Sequence, residues 1–165
     1  MPEDIQGWDE FRFDAMLSEC WWCGSKFRPP GWYAPWMIER AHIVNSPRRR
    51  DRRVAALLCS RCHKVQHGER IITLNEVVLV PSLPELIWLK RFRDASYYDR
   101  AYMQENHLGK LPRAVRPPDK RLFKIPAAKW GLFLKNWGSN RFGLNELSSA
   151  AELVSCLKSI GVQYE

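Results

Sequence analysis

The sequence lacks several features that would define a protein class at once. It has no apolar run near the ~18 residues that a membrane-spanning helix needs, so we expect no membrane contact. Residues 1–7 are acidic and polar and do not resemble a secretory signal peptide. No internal repeat is present, which argues against a repeat architecture. Four of the five cysteines are paired as for zinc binding and the fifth, Cys156, is odd, which suits a reducing compartment, so we expect a cytoplasmic protein.

The composition indicates a globular protein with an anionic partner. A chain of 165 residues is expected to form one domain with an appendage. The hydrophobic content of 45% and the eight tryptophans are enough for a packed core. The net charge of +8 could serve solubility alone, but its clustering along the chain favours binding to an anion.

Four of the five cysteines form two CxxC pairs, Cys20–Cys23 and Cys59–Cys62. A CxxC turn directs both sulfurs at one point, and Gly24 suits such a turn because glycine tolerates positive φ. Two pairs supply the four thiolates of a tetrahedral structural zinc site. The alternatives are cysteines buried as small hydrophobic residues and disulfides, which nothing else in the sequence favours.

Histidines follow the second pair closely. His63 and His67 are four residues apart, so a helical segment would place both rings on one face, one turn apart. This spacing suits two ligands of one metal. Because the thiolates already fill a zinc shell, the histidines indicate a second metal site with open positions, as catalysis requires. The alternative is a pair of surface histidines on a helix.

The order of these motifs resembles that of the HNH nucleases, which have the ββα-metal fold. A CxxC pair is followed by Ala-His-Ile at 41–43 and then by Leu-Cys-x-x-Cys-His at 58–63. The likeness is greatest to the four-cysteine, zinc-containing branch, which includes endonuclease VII-type nucleases and many phage and bacterial HNH proteins. It covers roughly residues 18 to 70.

The resemblance implies a metal-dependent endonuclease that hydrolyses DNA phosphodiester bonds, in duplex or branched DNA. His42 corresponds to the general base that activates water. His63 and His67 correspond to ligands of a catalytic divalent ion. Mg²⁺ prefers oxygen ligands, whereas two histidines suit Zn²⁺, Ni²⁺ or Mn²⁺ as well. The four cysteines correspond to the ligands of a structural zinc.

Two positions depart from the family pattern. Ala41 stands where the family usually has a metal-binding Asp or His, and Val54 stands where the motif's Asn is expected. Glu39 could replace the missing ligand because it shares a strand face with Ala41. The departures keep an alternative open, a zinc-ribbon DNA-binding protein of HNH descent with weakened catalysis. A zinc-ribbon adaptor for other proteins is disfavoured by the basic charge.

A strongly basic block lies between the proposed base and the metal-binding helix. Residues 46–53 contain five arginines in eight residues and are too basic to bury. Arginine suits phosphate contact because its planar fork binds phosphate bidentately; the alternative is a solvated loop. The predicted nucleic-acid-binding residues are Arg48, Arg49, Arg50, Arg52, Arg53, Arg61 and Lys64.

The expected fold class is α+β, with a ββα-metal zinc-ribbon core, an N-terminal helix and a mainly helical C-terminal extension. The predicted domains are residues 1–107 (zinc domain), 108–119 (basic, proline-rich linker) and 120–165 (small helical, basic and aromatic extension). The predicted elements are helix 8–19, strands 36–44 and 54–58, a helix after Cys59 ending near Gly68, two short strands within 71–80, and helices 84–93, 97–106 and 145–160.

Two of these segments carry side-chain predictions. Helical periodicity places Phe11, Ala15 and Met16 on the inner face of the first helix. In the C-terminal extension, basic residues alternate with aromatic ones, as in Lys129-Trp130. This pattern is typical either of a platform on which bases stack or of a small core with a basic rim. The fifth cysteine, Cys156, is interpreted as core packing.

Overall fold

A computed structural model of the chain describes residues 7–26, 37–44, 50–67, 76–118, 122–139 and 155–162. The helices are α1 (Trp8–Leu17), α2 (Ser60–Gln66), α3 (Leu83–Arg93), α4 (Arg100–Glu105) and α5 (Ala127–Ser139), with short 3₁₀ turns at Arg52–Val54 and Ala95–Tyr97. The strands are β1 (Ile38–His42), β2 (Ala55–Cys59), β3 (Glu76–Val78) and β4 (Leu122–Lys124). The predicted α+β class is confirmed.

The chain forms two compact units. Unit 1 comprises Met1–Ser60 and Leu83–Pro117, and unit 2 comprises Arg61–Ser82 and Pro118–Glu165. The predicted boundaries at 107 and 119 stay a prediction. None of the described helices is long and apolar enough to cross a membrane.

The centre of unit 1 is the antiparallel hairpin of β1 and β2. Its register pairs Ile38 with Cys59 at one end and His42 with Ala55 at the other. All five residues of β2 are buried, as expected for a short apolar strand covered on both faces. The chain passes from β2 directly into α2, so the predicted order of two strands and a helix is present.

Helix α1 packs against β1 with one buried stripe. Trp8, Phe11 and Ala15 lie 9%, 1% and 4% exposed, at helical spacing. The prediction that Met16 also faces inward is wrong, since its side chain is 55% exposed. A helix turns about 100° per residue, which carries Met16 well away from the stripe that Ala15 closes.

Helix α3 covers β2 from another side. Leu86, Ile87 and Leu89 are buried with at most 2% exposure, and the helix begins within one residue of its predicted start. The predicted helix over 97–106 is present as the shorter α4, whose first turn is capped by the Asp99 carboxylate, accepting from the Tyr102 backbone N–H at 3.0 Å.

Unit 2 combines a small sheet with helices. Strand β3 pairs with β4 in antiparallel register, Glu76 opposite Lys124. Two strands were expected within 71–80; residues 71–75 lie outside the described residues, and β4 is a strand that the sequence analysis did not predict. The chain is also helical over 155–159, where Cys156 is buried, as interpreted from the sequence. The rest of the predicted helix, up to residue 154, lies outside the described residues.

Candidate metal centre and nucleic-acid surface

Four cysteine sulfurs converge in the structure. The Sγ atoms of Cys20, Cys23, Cys59 and Cys62 all lie within 4.8 Å of one another. A tetrahedron with zinc–sulfur bonds of about 2.3 Å has edges of about 3.8 Å, and the Cys23 and Cys59 sulfurs are 3.7 Å apart. Among the described residues this is the one group of three or more metal-ligating side chains. The cluster could hold a zinc ion.

The first CxxC pair forms a tight turn whose backbone supports the sulfurs. The Cys23 N–H points at Cys20 Sγ over 3.4 Å, and the Gly24 N–H donates to the Cys20 carbonyl at 3.0 Å. Gly24 adopts φ +79°, and a Cβ there would meet no atom within 4 Å. Glycine is therefore required by the backbone conformation rather than by crowding. The Ser25 hydroxyl lies 3.1 Å from Cys23 Sγ, where it can donate to a thiolate.

Backbone hydrogen bonds connect this turn to the hairpin. The Trp21 N–H donates to the Leu57 carbonyl of β2 at 2.9 Å. The Ser60 N–H donates to the Met37 carbonyl at 3.0 Å, directly after Cys59. The Ser60 hydroxyl also donates to a Glu39 carboxylate oxygen at 3.2 Å. Glu39, which the sequence suggested as a replacement metal ligand, therefore has a structural partner at the start of α2.

His42, the predicted general base, is the last residue of β1. It is half-buried, and its ring stacks on the Trp8 ring, with centroids 5.7 Å apart and an interplanar angle of 24°. The Arg40 guanidinium also covers the Trp8 ring at 4.3 Å and donates to the Trp8 carbonyl at 2.7 Å. The motif did not reveal this contact between Trp8 and His42.

His63 and His67 come together as the spacing predicts. Their Nε2 atoms are 3.0 Å apart and their ring centroids 4.8 Å apart. With metal–nitrogen bonds of about 2.0–2.1 Å, this separation corresponds to a nitrogen–metal–nitrogen angle of about 90–100°. His67 is exposed and His63 half-buried, so an ion held there would keep positions open to solvent. The alternative use of the same geometry is a hydrogen bond between the two rings.

The arginine block divides into interior and surface residues. Arg52 is 9% exposed and binds Asp94 through two hydrogen bonds of 3.0 and 3.1 Å. It also forms an ion pair of 2.9 Å with Asp14, and its guanidinium lies over the Phe11 and Tyr97 rings. This environment argues against the predicted phosphate contact of Arg52, because its charge and its donors are already used inside unit 1.

Two further members of the predicted set are also held by the protein. Arg53 donates to both carboxylate oxygens of Asp51, at 3.0 and 2.7 Å, and lies 3.4 Å from the centre of the Tyr102 ring. Burial raises the pKa of Asp51, but hydrogen bonds from Arg53 and Tyr102 outweigh that effect and lower it overall. Arg61 is 5% exposed. Arg53 is half-buried and Arg61 is buried, and their proposed contact with nucleic acid stays a prediction.

The remaining predicted residues suit a surface role or lie outside the described ranges. Arg50 and Lys64 are exposed, and their proposed contact with nucleic acid stays a prediction. Arg48 and Arg49 fall within 45–49, outside the described residues.

Sequence reasoning missed a buried ion cluster behind Arg52. The Lys90 ammonium is fully buried; it donates to Asp94 Oδ2 at 2.6 Å and to the Arg52 carbonyl. Desolvation lowers the pKa of Lys90 to about 8, although the Asp94 carboxylate acts in the opposite direction. The spacing of Lys90 and Asp94 by one helical turn is a weak local signal. Nothing in the sequence connects either residue with Arg52.

Comparison of the chain with family models, with curated proteins and with solved structures finds no match in any of the three. The likeness to HNH nucleases therefore rests on the motif residues and on the geometry described above.

Proposed function

We propose that this protein is a metal-dependent endonuclease of the HNH type that hydrolyses DNA phosphodiester bonds. The observation that carries the proposal is the histidine pair, His63 and His67, whose Nε2 atoms lie 3.0 Å apart directly after the four-cysteine cluster. The chain order around it, an antiparallel hairpin that continues into a short helix, supports the same assignment. The family link itself is part of the proposal.

In the proposed mechanism, His42 is the general base. It takes the proton of a water molecule whose oxygen attacks the phosphorus, while the bond from phosphorus to the leaving 3′-oxygen breaks and that oxygen acquires a proton from solvent. The Trp8 ring stacked on His42 limits rotation of the imidazole and so holds it in one orientation. His63 and His67 are the residues that would hold a divalent ion, and such an ion would supply stabilisation of negative charge on the phosphate and the leaving oxygen.

The four cysteines have a separate role in this proposal. Four thiolates complete the shell of a zinc ion and leave no position for substrate. A zinc ion held by these sulfurs would join the turn at Cys20–Cys23 to the end of β2 and to the start of α2. Structural zinc of this kind contributes folding energy directly.

The departures from the family pattern bear on catalysis. At the position of the missing Asn, the Val54 carbonyl accepts from the Ile43 N–H at 2.7 Å, and the Asp51 carboxylate accepts from the Arg53 N–H at 3.0 Å. These bonds close the loop end of the hairpin, which is the role the Asn has in the family. Ala41, by contrast, is fully buried and offers no ligand atom. That observation favours a second candidate, a zinc-dependent DNA-binding protein without cleavage.

A plasmid-nicking assay separates the two candidates. Supercoiled DNA is incubated with wild-type protein and added Mg²⁺, Mn²⁺, Ni²⁺ or Zn²⁺, and nicked product is quantified. Loss of the base in His42→Ala is expected to slow nicking by about 10²–10⁴-fold while DNA binding changes little. His107→Ala, which alters the one histidine outside the motif, is the control and should cleave normally. Wild-type protein that binds DNA but nicks it with none of the four metals would establish the second candidate.

A further inference from the structure

Helix α3 carries an aromatic pair on its outer side that the core does not use. Trp88 and Phe92 are one turn apart, and their rings stack with centroids 5.0 Å apart and an interplanar angle of 20°. Phe92 is 70% exposed and Trp88 is half-buried, whereas Leu86 and Leu89 face the interior. We call Trp88 and Phe92 the aromatic step. Most of the Phe92 side chain is open to solvent.

A row of positive charges lies in the segment that the sequence analysis described as a linker. Lys110, Arg113 and Arg116 are exposed, while Leu111 is 2% exposed and Pro117 is buried. The three charged residues recur at every third position, and their side chains are exposed where Leu111 and Pro117 are buried. We call these three residues the basic strip.

The basic strip is held in place by unit 1. Arg100 of α4 donates to the Leu111 and Pro112 carbonyls at 3.2 and 3.3 Å. The Gln104 side chain accepts from the Leu111 N–H at 2.5 Å and donates to the Gly109 carbonyl at 2.6 Å. A surface whose backbone is fixed before binding loses less conformational entropy when a ligand arrives.

One backbone hydrogen bond joins the strip to the helix of the aromatic step. The Val115 N–H, between Arg113 and Arg116, donates to the Pro84 carbonyl at 2.9 Å. Pro84 lies one helical turn before Trp88 and two before Phe92, about 12 Å along the axis from the latter. Arg91, next to Phe92, is also exposed. The basic strip is therefore attached to the start of the helix that carries the aromatic step at its other end.

We propose that the aromatic step and the basic strip together form a binding surface for single-stranded nucleic acid. The strip contacts successive phosphates, and an unpaired base stacks on Phe92. A duplex does not offer the face of an internal base, because stacking within the duplex covers it, so the aromatic step selects unpaired strands. This surface lies entirely in unit 1, uses none of the metal-centre residues, and does not depend on the proposed cleavage.

The stacking contact is tested by fluorescence anisotropy of short labelled oligonucleotides, without added divalent metal so that cleavage cannot interfere. Phe92→Leu keeps an apolar side chain but removes the ring. Base stacking is worth about 1–3 kcal/mol, so binding of a single strand should weaken about 5-fold to 150-fold. Phe92→Tyr keeps the ring and should bind like wild type. Phe13→Leu changes an aromatic residue of similar exposure on α1, 67% against 70%, and should have no effect.

The phosphate contacts are tested through the dependence of affinity on salt. For single strands, each lost contact should reduce the log–log slope by about 0.7, so the double variant Arg113→Ser, Arg116→Ser should reduce it by about 1.4. The double variant Arg12→Ser, Lys26→Ser removes two exposed charges elsewhere in unit 1 and should leave the slope unchanged. Deoxyribose and ribose strands of one sequence are compared in parallel, and the tighter of the two identifies the preferred strand.

Two results would overturn the proposal. One is equal single-strand binding by wild type and Phe92→Leu, with melting temperatures confirming that both are folded. The other is an equal loss of affinity for duplex and single strand in Phe92→Leu, which would show that the ring does not distinguish unpaired bases. Because the assay measures binding without added divalent metal, failure of the cleavage proposal leaves this test intact.

Discussion

The two ends of the β1–β2 hairpin are stabilised by different chemistry. At the end where Ile38 pairs with Cys59, cysteine sulfurs converge within 4.8 Å. At the other end, the 3₁₀ turn before β2 places Arg52 in a buried cluster with Asp94 and Lys90. The sulfurs at the first end could hold a metal ion, whereas at the second end charged side chains of the protein bind one another.

This difference separates residues that look alike in the sequence. Arg50 and Arg52 belong to one basic block, yet Arg50 is exposed and Arg52 has two carboxylate partners. A count of positive charge therefore overstates the surface available to nucleic acid. The functional charge of a basic segment is the part that the fold leaves exposed.

The largest expected effect comes from removing a cysteine at the end of the hairpin where the four sulfurs converge. Cys59→Ser removes one thiolate from a shell of four, and structural zinc supplies about 10 kcal/mol or more in small zinc-finger peptides. We expect the variant to lose its zinc and its cooperative unfolding transition, measured by elemental analysis and by thermal denaturation followed by circular dichroism. Cys156→Ser changes a buried cysteine outside the cluster and should keep one zinc per chain. Normal folding and zinc content in Cys59→Ser would refute the structural role.

Disrupting the buried ion cluster at the other end of the hairpin should reduce the free energy of unfolding by a smaller amount. Arg52→Met preserves most of the side-chain volume but leaves the Asp94 carboxylate with Lys90 alone. Removing one partner from a buried ion pair typically costs about 3–5 kcal/mol. The free energy of unfolding from urea denaturation measures the loss. If Arg52→Met were as stable as wild type but bound DNA more weakly, Arg52 would instead belong to the residues that contact phosphate.

The buried ammonium of Lys90 makes the stability of the folded protein depend on pH. Its pKa is about 8 in the folded protein against 10.5 in an exposed chain. Between these values the unfolded chain binds more protons, so stability rises with pH. Lys90→Met removes the group, and the stability of wild type relative to this variant should increase by up to about 3 kcal/mol as the pH rises from 8 to 10.5. Taking the difference between the two proteins cancels Cys156 and other groups common to both. A stability difference between the two proteins that does not change with pH would contradict the burial of a charged Lys90.

The smallest expected effect is that of the exposed arginine. Arg50→Ser should change the free energy of unfolding by no more than about 0.5 kcal/mol, in contrast to Arg52→Met. If Arg50 contacts phosphate in duplex DNA, its loss should reduce the log–log salt slope of binding by about 0.9. Binding titrations over a range of salt concentrations measure this slope. An unchanged slope would place the DNA on another surface.

The sequence predicts the cysteine end well because its signal is local. Each CxxC pair fixes two ligands within four residues, and the antiparallel hairpin then brings the pairs together. His63 and His67 were predictable for the same reason, since one helical turn separates them. Helices α1 and α3 were found from periodicity, although Met16 was misplaced because the inner stripe of α1 is narrower than expected.

The ion cluster was not predictable from the sequence. Asp94 lies 42 residues after Arg52, and no spacing rule connects the two. The stacking of His42 on Trp8, 34 residues apart, has the same character. Strand β4 was missed because three residues carry too little periodicity to identify a strand. Contacts between distant segments thus account for most of what the sequence analysis did not find.

We propose that the cysteines hold a structural ion while His63 and His67 hold a second, exchangeable one. The most direct test is to titrate Mn²⁺ or Ni²⁺ into zinc-loaded protein and to measure binding by calorimetry and the retained zinc by elemental analysis. We predict one additional ion per chain, abolished in His67→Ala and preserved in His107→Ala, with zinc retained in both variants. No additional ion, or one whose binding is unchanged in His67→Ala, would contradict the claim.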